Sequence, residues 1–422
     1  MPRVALCGFG TVGQAVAGAW ALAGVPARVA VVLVRDAHRP RPVPLPAGAE
    51  LTTDPGRVLA ATPDVIVELT GDVALGLELA RSALERGGAV VTASKQLVAR
   101  HGPELLALAA ERQAALRFDA AVGGGMPVVP LLAHALRGDP VRRLVAVLNG
   151  TTNLILDRMA TAAVTLEAAV AEAQGLGLAE ADPSDDLDGH DTAAKLVILA
   201  ALAFGAWPDP GAVQPTGIRQ LTPALLRAAA ARGYAVRLLA EAERLPGPDG
   251  GPGAVALRVA PGLVPATHPL AAVRAAGNGV VLDLELAGSV ALRGLGGGGA
   301  PTASAVLSDL RIVLDDRSRG RRPWVGPTDR GLAVADGGGR RRASLWHLRP
   351  RQPGPAAALD AALAAAGVTR EGPAVAVAAA GGPRLEVWAE PAPLAVLAAA
   401  GARLGAGAGG YDDVTCLPLL ER

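Results

Sequence analysis

Short apolar runs alternate with amphipathic stretches through the first third of the chain. Residues 4–7 (Val4-Ala5-Leu6-Cys7) read as a buried strand, a glycine turn follows, and residues 14–23 carry a helical pattern. Residues 29–34 form the next apolar run, and a proline-rich loop follows it through Pro46. Strands are expected at 64–69, 89–92 and from 116, with helices at 73–86 and 104–113 between them. This βαβαβ order predicts a parallel sheet with helices on its faces. Beyond residue 131 the texture changes. Helical periodicity covers 130–136, 153–159, 166–173 and 192–204, and strand-like alternation appears at 235–243, 254–259 and 279–287. A mixed sheet backed by helices fits this α+β middle region. Residues 317–342 are charged and loop-like, a candidate linker, and 343–420 read as two short βα units with helices at 356–366 and 393–404.

Composition narrows the class. At 422 residues the chain calls for two or three domains, and 51% apolar content supplies the cores. Because Ala, Gly, Pro and Arg are abundant throughout, a Pro- or Gly-rich stretch is a weaker linker signal here than elsewhere. A formal net charge of +1 gives no electrostatic reason to expect nucleic acid or an anionic membrane as partner. The arginine runs at 317–322 and 340–342 read as solvated loop. The two cysteines, Cys7 and Cys416, stand at opposite ends of the chain. They form neither a disulfide framework nor a metal cluster, and they suit a reducing cytoplasm. No signal-peptide pattern opens the chain and no apolar run is long enough to span a bilayer, so a cytoplasmic protein is expected.

The candidate chemistry begins at Gly8-Phe9-Gly10-Thr11-Val12-Gly13. A lone G-x-G-x-x-G is weak evidence and can be an ordinary strand–helix turn. Here it follows a predicted strand and opens a predicted helix, as dinucleotide binding requires. The pyrophosphate would lie on the helix N-terminus, where free N–H groups and the dipole favour anions. Arg35 follows the second strand, where an acidic residue would bind a ribose 2′-hydroxyl and an arginine a 2′-phosphate. Arg35 favours NADP, while Asp36 beside it keeps NAD open.

The densest chemistry lies in residues 177–195, GLAEADPSDDLDGHDTAAK. Asp191 and Lys195 share one helix face, which reads either as helix capping with an exposed ion pair or as a site. Lysine rarity favours the site: Lys95 and Lys195 are the only two in an arginine-rich chain. A retained ammonium suits proton transfer or a point charge. Lys95 follows the strand at 89–92, and ligands of such sheets sit at the carboxyl ends of the strands.

In this order the motifs GFGTVG, TASK, VGGGMP, LNGTTN, AEADPSDDLDGHDTAAK and GLGGGGAPTASAV resemble the homoserine dehydrogenase family over roughly residues 3–315. The resemblance implies a Rossmann-type nucleotide-binding domain (1–130 with about 300–316), a substrate-binding and dimerisation domain (131–299) and a small ACT-like regulatory domain (343–422). It implies reversible reduction of L-aspartate 4-semialdehyde to L-homoserine with NADPH or NADH, in a homodimer. Lys195 would be the proton donor, and Lys95 would position substrate near the cofactor. Glu180 and Asp191 would bind the amino acid. Thr70, Ser94, Gly296 and Gly298 would join the glycine turn around the cofactor. A monovalent cation, sodium in the first instance, would be held by Asp119, Val122, Gly124 and Met126, although the family more often has Glu where Asp119 stands. His190 is atypical and is expected as a partly buried neighbour. Two rivals remain in view. An aldehyde dehydrogenase would need a mid-chain cysteine nucleophile, and a catalytically inactive nucleotide- and amino-acid-binding regulator would not need the lysines.

Overall fold

The computed structural model describes residues 1–247, 252–335, 341–350, 361, 363–365, 368–377, 384–393, 396–397, 399–400 and 411–420. The chain forms two compact units. The first comprises Met1–Arg142, Ala193–Val213 and Gly277–Ala333, and the second Arg143–Thr192, Gln214–Ala276 and Val334–Arg422. These units cut the chain differently from the sequence boundaries, since residues 193–213 and 277–299 belong with the first. Among the described residues no helix is long and apolar enough to cross a membrane.

In the first unit β1 (Arg3–Cys7), β2 (Arg28–Leu33), β3 (Glu50–Thr52), β4 (Val65–Glu68), β5 (Ala89–Thr92) and β6 (Ala115–Arg117) form one sheet in the order β3-β2-β1-β4-β5-β6. Every pairing is parallel. β1 lies centrally, with Val4 opposite Val29 on one side and Val65 on the other. Its run of apolar residues therefore has no solvent face. The order reverses direction between β1 and β4, the place where doubly wound sheets bind ligands.

Helices α1 (Thr11–Ala19), α2 (Pro55–Ala60), α3 (Val73–Glu85) and α4 (Lys95–Glu111) follow their strands. Asp54, Asp72 and Ser94 cap α2, α3 and α4 through side-chain acceptance of Gly56, Leu75 and Leu97 N–H groups. The periodicity started α4 at residue 104, yet the helix begins nine residues earlier and runs through Pro103. Proline normally ends a helix. Here Gly102 lies against Trp207, where a Cβ would come 2.5 Å from the indole ring, so tertiary packing holds the helix across the break.

A helical turn, α5 (Val128–Pro130), leads into a wide turn at Leu131–Ala135. The second unit takes most of β7 (Val141–Val147), then α6 (Gly150–Ala162), α7 (Leu166–Gly175), the short α8 (Ser184–Leu187) and the first residues of α9 (His190–Phe204), which belongs to the first unit from Ala193 onward. Next come α10 (Pro223–Ala231), β8 (Tyr234–Pro246) and β9 (Pro252–Pro265). β8 pairs antiparallel with both β7 and β9.

The first unit regains the chain with the antiparallel hairpin β10 (Gly277–Leu284) and β11 (Ser289–Leu295) and the long α11 (Gly299–Ser318). Val306, Leu310 and Val313 of α11 share a core with Val4, Leu6 and Val16. The expected mixed sheet thus has antiparallel pairing between its named strands. The supposed linker packs too: Trp207 donates to the carbonyls of Asp329 and Pro327 at 2.8 and 2.6 Å.

The C-terminal strands β12 (Arg341–Pro350), β13 (Arg370–Val377), β14 (Arg384–Pro393) and β15 (Tyr411–Pro418) make an antiparallel sheet ordered β13-β14-β12-β15. Most residues of the expected helices at 356–366 and 393–404 lie outside the described residues. One expectation here is corrected. Arg342, read as solvated loop, lies in β12 and is only 3% exposed. Its guanidinium is drawn inward by the buried carboxylate of Glu241 on β8.

Candidate active site

The glycine turn follows directly from the geometry of β1 and α1. Gly8 has φ +105°, and a Cβ there would stand 2.3 Å from the carbonyl oxygen of Leu69. A Cβ on Gly13 would stand 2.1 Å from the carbonyl oxygen of Gly8, so α1 closes tightly on the strand end. Gly10 is the N-cap of α1 and has nothing within 4 Å of its Cβ position. The helix ladder starts at Gln14 N–H to Gly10 O, 3.0 Å, leaving the N–H groups of Thr11, Val12 and Gly13 ahead of it. Gln14 also donates to the Phe9 carbonyl at 3.3 Å, tying turn to helix.

A second helix start lies beside the first. α11 is entered through Gly298, φ +92°, and Gly299 packs within 3.2 Å of the Thr11 carbonyl oxygen, measured from a Cβ position. Gly296 is equally constrained, since a Cβ there would overlap the Asn278 carboxamide at 2.1 Å. Neither Gly10 nor Gly298 has a capping side chain. Two uncapped helix N-termini and a glycine cradle make an anion site of the kind a pyrophosphate occupies.

At the ends of β4 and β5 the structure reveals a residue without a role in the sequence reading. Glu68 is fully buried and accepts from Thr70 N–H (2.8 Å), Thr70 Oγ1 (2.7 Å) and Thr92 Oγ1 (2.6 Å). Thr92 Oγ1 in turn accepts from Ser94 N–H at 3.0 Å. Thr70 and Ser94 are thus held in one network, and half-buried Lys95 opens α4 immediately after Ser94. The signal was present, a carboxylate inside the apolar run Val65-Ile66-Val67-Glu68.

Beyond β2, Arg35 and Arg39 are exposed. The carboxylate of Asp36 accepts from His38 N–H at 2.8 Å, and Arg41 donates to the carbonyls of Asp36 and Arg39 at 2.5 and 2.7 Å. One Asp36 oxygen is thus engaged in its own turn.

The predicted cation loop lies against the Gly296 turn. Gly125 N–H donates to Leu295 O at 3.0 Å, and a Cβ on Gly124 would come 2.7 Å from Gly296 O. Val122, Gly124 and Met126 are buried. Asp119 is buried and its Oδ1 has no hydrogen-bond partner. Burial, then the charge of Asp309, pushes its acid up to about 8. Burial also raises Asp309, to about 6. An orphaned buried carboxylate oxygen fits the charge that a monovalent cation would supply. Among the described residues no three His, Cys, Asp or Glu side chains cluster to hold a metal, and one carboxylate with carbonyls is a different kind of donor set.

In the second unit Asn149, at the N-cap of α6, donates to Asp186 Oδ1 at 2.6 Å and Asp191 Oδ2 at 2.9 Å. Asp191 is 3% exposed, and Lys195, half-buried, follows one turn later along α9. The acidic cluster divides. Asp188 pairs with Arg219, whose hydrogen bonds hold its acid below the usual range, and Asp182 accepts from Ser184. Those two shape the loop. Glu180 is exposed, with its backbone carbonyl accepting from Gln174 at 2.9 Å. His190 is exposed, where a partly buried neighbour was expected. Burial pushes both thiols upward, Cys416 to about 12, which disfavours either as the nucleophile of an aldehyde dehydrogenase.

A sheet of this order with a glycine cradle at its switch point defines a dinucleotide-binding oxidoreductase of the doubly wound class. Residues 8–119 match the family model described as homoserine dehydrogenase, NAD binding domain, and residues 127–311 that described as homoserine dehydrogenase. The chain is 39% identical to the homoserine dehydrogenase of Corynebacterium glutamicum over 355 residues, 82% of this chain and 78% of that protein. It is 37% identical to that of Bacillus subtilis, covering 77% and 76%. A solved homoserine dehydrogenase from Thiobacillus denitrificans superposes with a TM-score of 0.88 at 31% identity, over 100% of this chain and 98% of that one. A hyperthermophilic archaeal homoserine dehydrogenase in complex with NADPH gives 0.59 at 27% identity, over 75% and 98%. The chain belongs to the homoserine dehydrogenase family, and its function is that of a homoserine dehydrogenase.

Proposed function

We propose that the enzyme interconverts L-aspartate 4-semialdehyde and L-homoserine with NADPH as the preferred cofactor, and that Lys195 moves the proton. When bound, the nicotinamide supplies or accepts the hydride. Lys195 donates its proton to the carbonyl oxygen in reduction and takes it back from the hydroxyl in oxidation. Asp191 and Glu180 receive the amino acid's ammonium, and Lys95 orients the carbonyl near the end of β5. Thr11, Val12 and Gly13 N–H groups receive the pyrophosphate.

Arg35 pairs with the 2′-phosphate. Support comes from its exposure and from the engagement of Asp36 with His38 N–H. The archaeal relative solved with NADPH points the same way. Asp119, with the carbonyls of Val122, Gly124 and Met126, holds a monovalent cation, sodium in the first instance; the orphaned Oδ1 supports this. We place the enzyme in the cytoplasm as a homodimer, with the C-terminal sheet as an ACT-like regulatory part. Its free cysteines suit that compartment, and sedimentation would test the assembly.

The observation that carries the reading is the start of α9, where buried Asp191 is pinned by Asn149 one turn before one of the chain's two lysines. Replacing Lys195 by alanine should cut homoserine oxidation about 10²–10⁴-fold, the usual weight of a general acid–base, while NADPH binding followed by fluorescence persists. Wild-type turnover in Lys195→Ala would overturn the role.

A further inference from the structure

We propose that Asn149 is a positioning residue for the reaction, its side-chain amide holding Asp186 and Asp191 in the one arrangement that receives substrate. The inference rests on the reading of Asp191 as a substrate-binding carboxylate.

Both ends of the Asn149 amide are committed. Its Oδ1 accepts from Thr152 N–H at 2.8 Å, capping α6. That sets the nitrogen on the other side, where it stands 2.6 Å from Asp186 Oδ1 and 2.9 Å from Asp191 Oδ2. An amide nitrogen carries two N–H groups, and here each meets one carboxylate. The orientation is fixed twice, since a backbone N–H requires oxygen and the carboxylates require nitrogen.

Helix capping alone does not call for asparagine at this position. Asp72, Ser94, Thr165 and Thr222 cap α3, α4, α7 and α10 with an acceptor only, and serine or aspartate caps about as well. The donor side of the amide serves the two acids. Without it, two like charges at the corner between α8 and α9 would repel. Gly189 turns that corner with φ +87°.

The amide is delivered from a rigid platform. Asn153, one turn along α6, donates to the carbonyls of Val273 and Ala275 at 3.2 and 2.9 Å. Gly150 abuts Ala276, whose carbonyl oxygen would lie 2.6 Å from a Cβ. Asn149 itself is 4% exposed. A buried group with both ends bonded, carried on a clamped helix start, is how a supporting residue fixes a reacting one.

The test compares Asn149→Ser, Asp191→Asn and the double variant in homoserine oxidation, with melting curves for each. Serine keeps the cap and loses the amide donors, so Tm should stay within about 3 °C of wild type. The kcat/KM for homoserine should fall about 10- to 100-fold, as for hydrogen bonds to a charged group, while the KM for NADP is unchanged. The double variant should be no worse than Asp191→Asn alone, because the two residues act in series. Asn149→Asp, which also retains the cap, should lose at least as much. Wild-type kcat/KM in either Asn149 variant, with Asp191→Asn crippled, overturns this inference alone. Wild-type kcat/KM in Asp191→Asn overturns the substrate reading and this inference together.

Discussion

Replacing Glu241 by glutamine would remove the negative charge from a buried site that holds three guanidiniums. Glu241 receives Arg342 at 2.5 and 3.0 Å through both oxygens, Arg258 at 3.0 Å and Arg143 at 3.4 Å. These arginines come from β12, β9 and β7, so one carboxylate ties the C-terminal sheet to the β7-β8-β9 sheet of the same unit. Burial works to raise the Glu241 acid. The charge and hydrogen bonds of Arg342, with the charges of Arg258 and Arg143, overcome it and hold the acid at about 2, against an ordinary 4.5. That fall is equivalent to about 3 kcal/mol in favour of the ionised form. It agrees with the roughly 3–5 kcal/mol lost when one partner of a buried ion pair is removed. At about 2–4 °C per kcal/mol for a unit of this size, Glu241→Gln should lower Tm by about 6–20 °C in calorimetry at pH 7.

The pH dependence has a definite sign. A depressed carboxylate contributes its full stability above about 4.5 and loses it as pH falls through about 2. The Tm gap between wild type and Glu241→Gln should therefore close across that window. A Tm within about 2 °C of wild type at pH 7, or a gap that does not narrow on acidification, would refute the reasoning.

Gly13→Ala would press a methyl against the Gly8 carbonyl oxygen, 2.1 Å from its ideal position, so α1 must shift. The dissociation constant for NADPH should rise more than about 10-fold, read by fluorescence titration. Arg35→Ala should raise the NADPH KM by about 10-fold or more and leave the NADH KM unchanged, as loss of a charge-assisted phosphate contact requires; equal effects on both would remove Arg35 from cofactor choice. Asp119→Asn keeps the shape of the side chain and removes its ability to ionise against a cation. Sodium titrations of activity should then need a concentration at least about 10-fold higher for half-maximal response, and an unchanged curve would dissociate Asp119 from the cation.

Much of the first unit was legible because local pattern and tertiary role agree there. Residues 4–7 are apolar without a polar face, as a central parallel strand must be, and the glycines fall where the backbone admits nothing larger. Lys195 was visible through its rarity. Other features depended on partners far along the chain. The helix through Pro103 is held by packing around Trp207, which no local pattern contains. Arg342 looks like solvated loop until Glu241 is known to face it. Glu68 shows its part only when Thr92 arrives beside it on the neighbouring strand β5. Asn149 sits in the LNGTTN motif, while its amide meets acids some 40 residues away.

By itself the sequence determined the parallel nucleotide-binding sheet, the glycine turn at its first strand and the charged residues proposed for the site. Those depend on backbone freedom, strand periodicity and side-chain chemistry, which are local and readable in order. Only the tertiary structure decided which acids of the 177–195 stretch share a donor and which merely shape their loop. It alone joined β10 and β11 to the first unit and buried Arg342. Such outcomes are set by long-range pairing of buried charges and amides, because in a low-dielectric interior each polar group must find a partner wherever the chain supplies one.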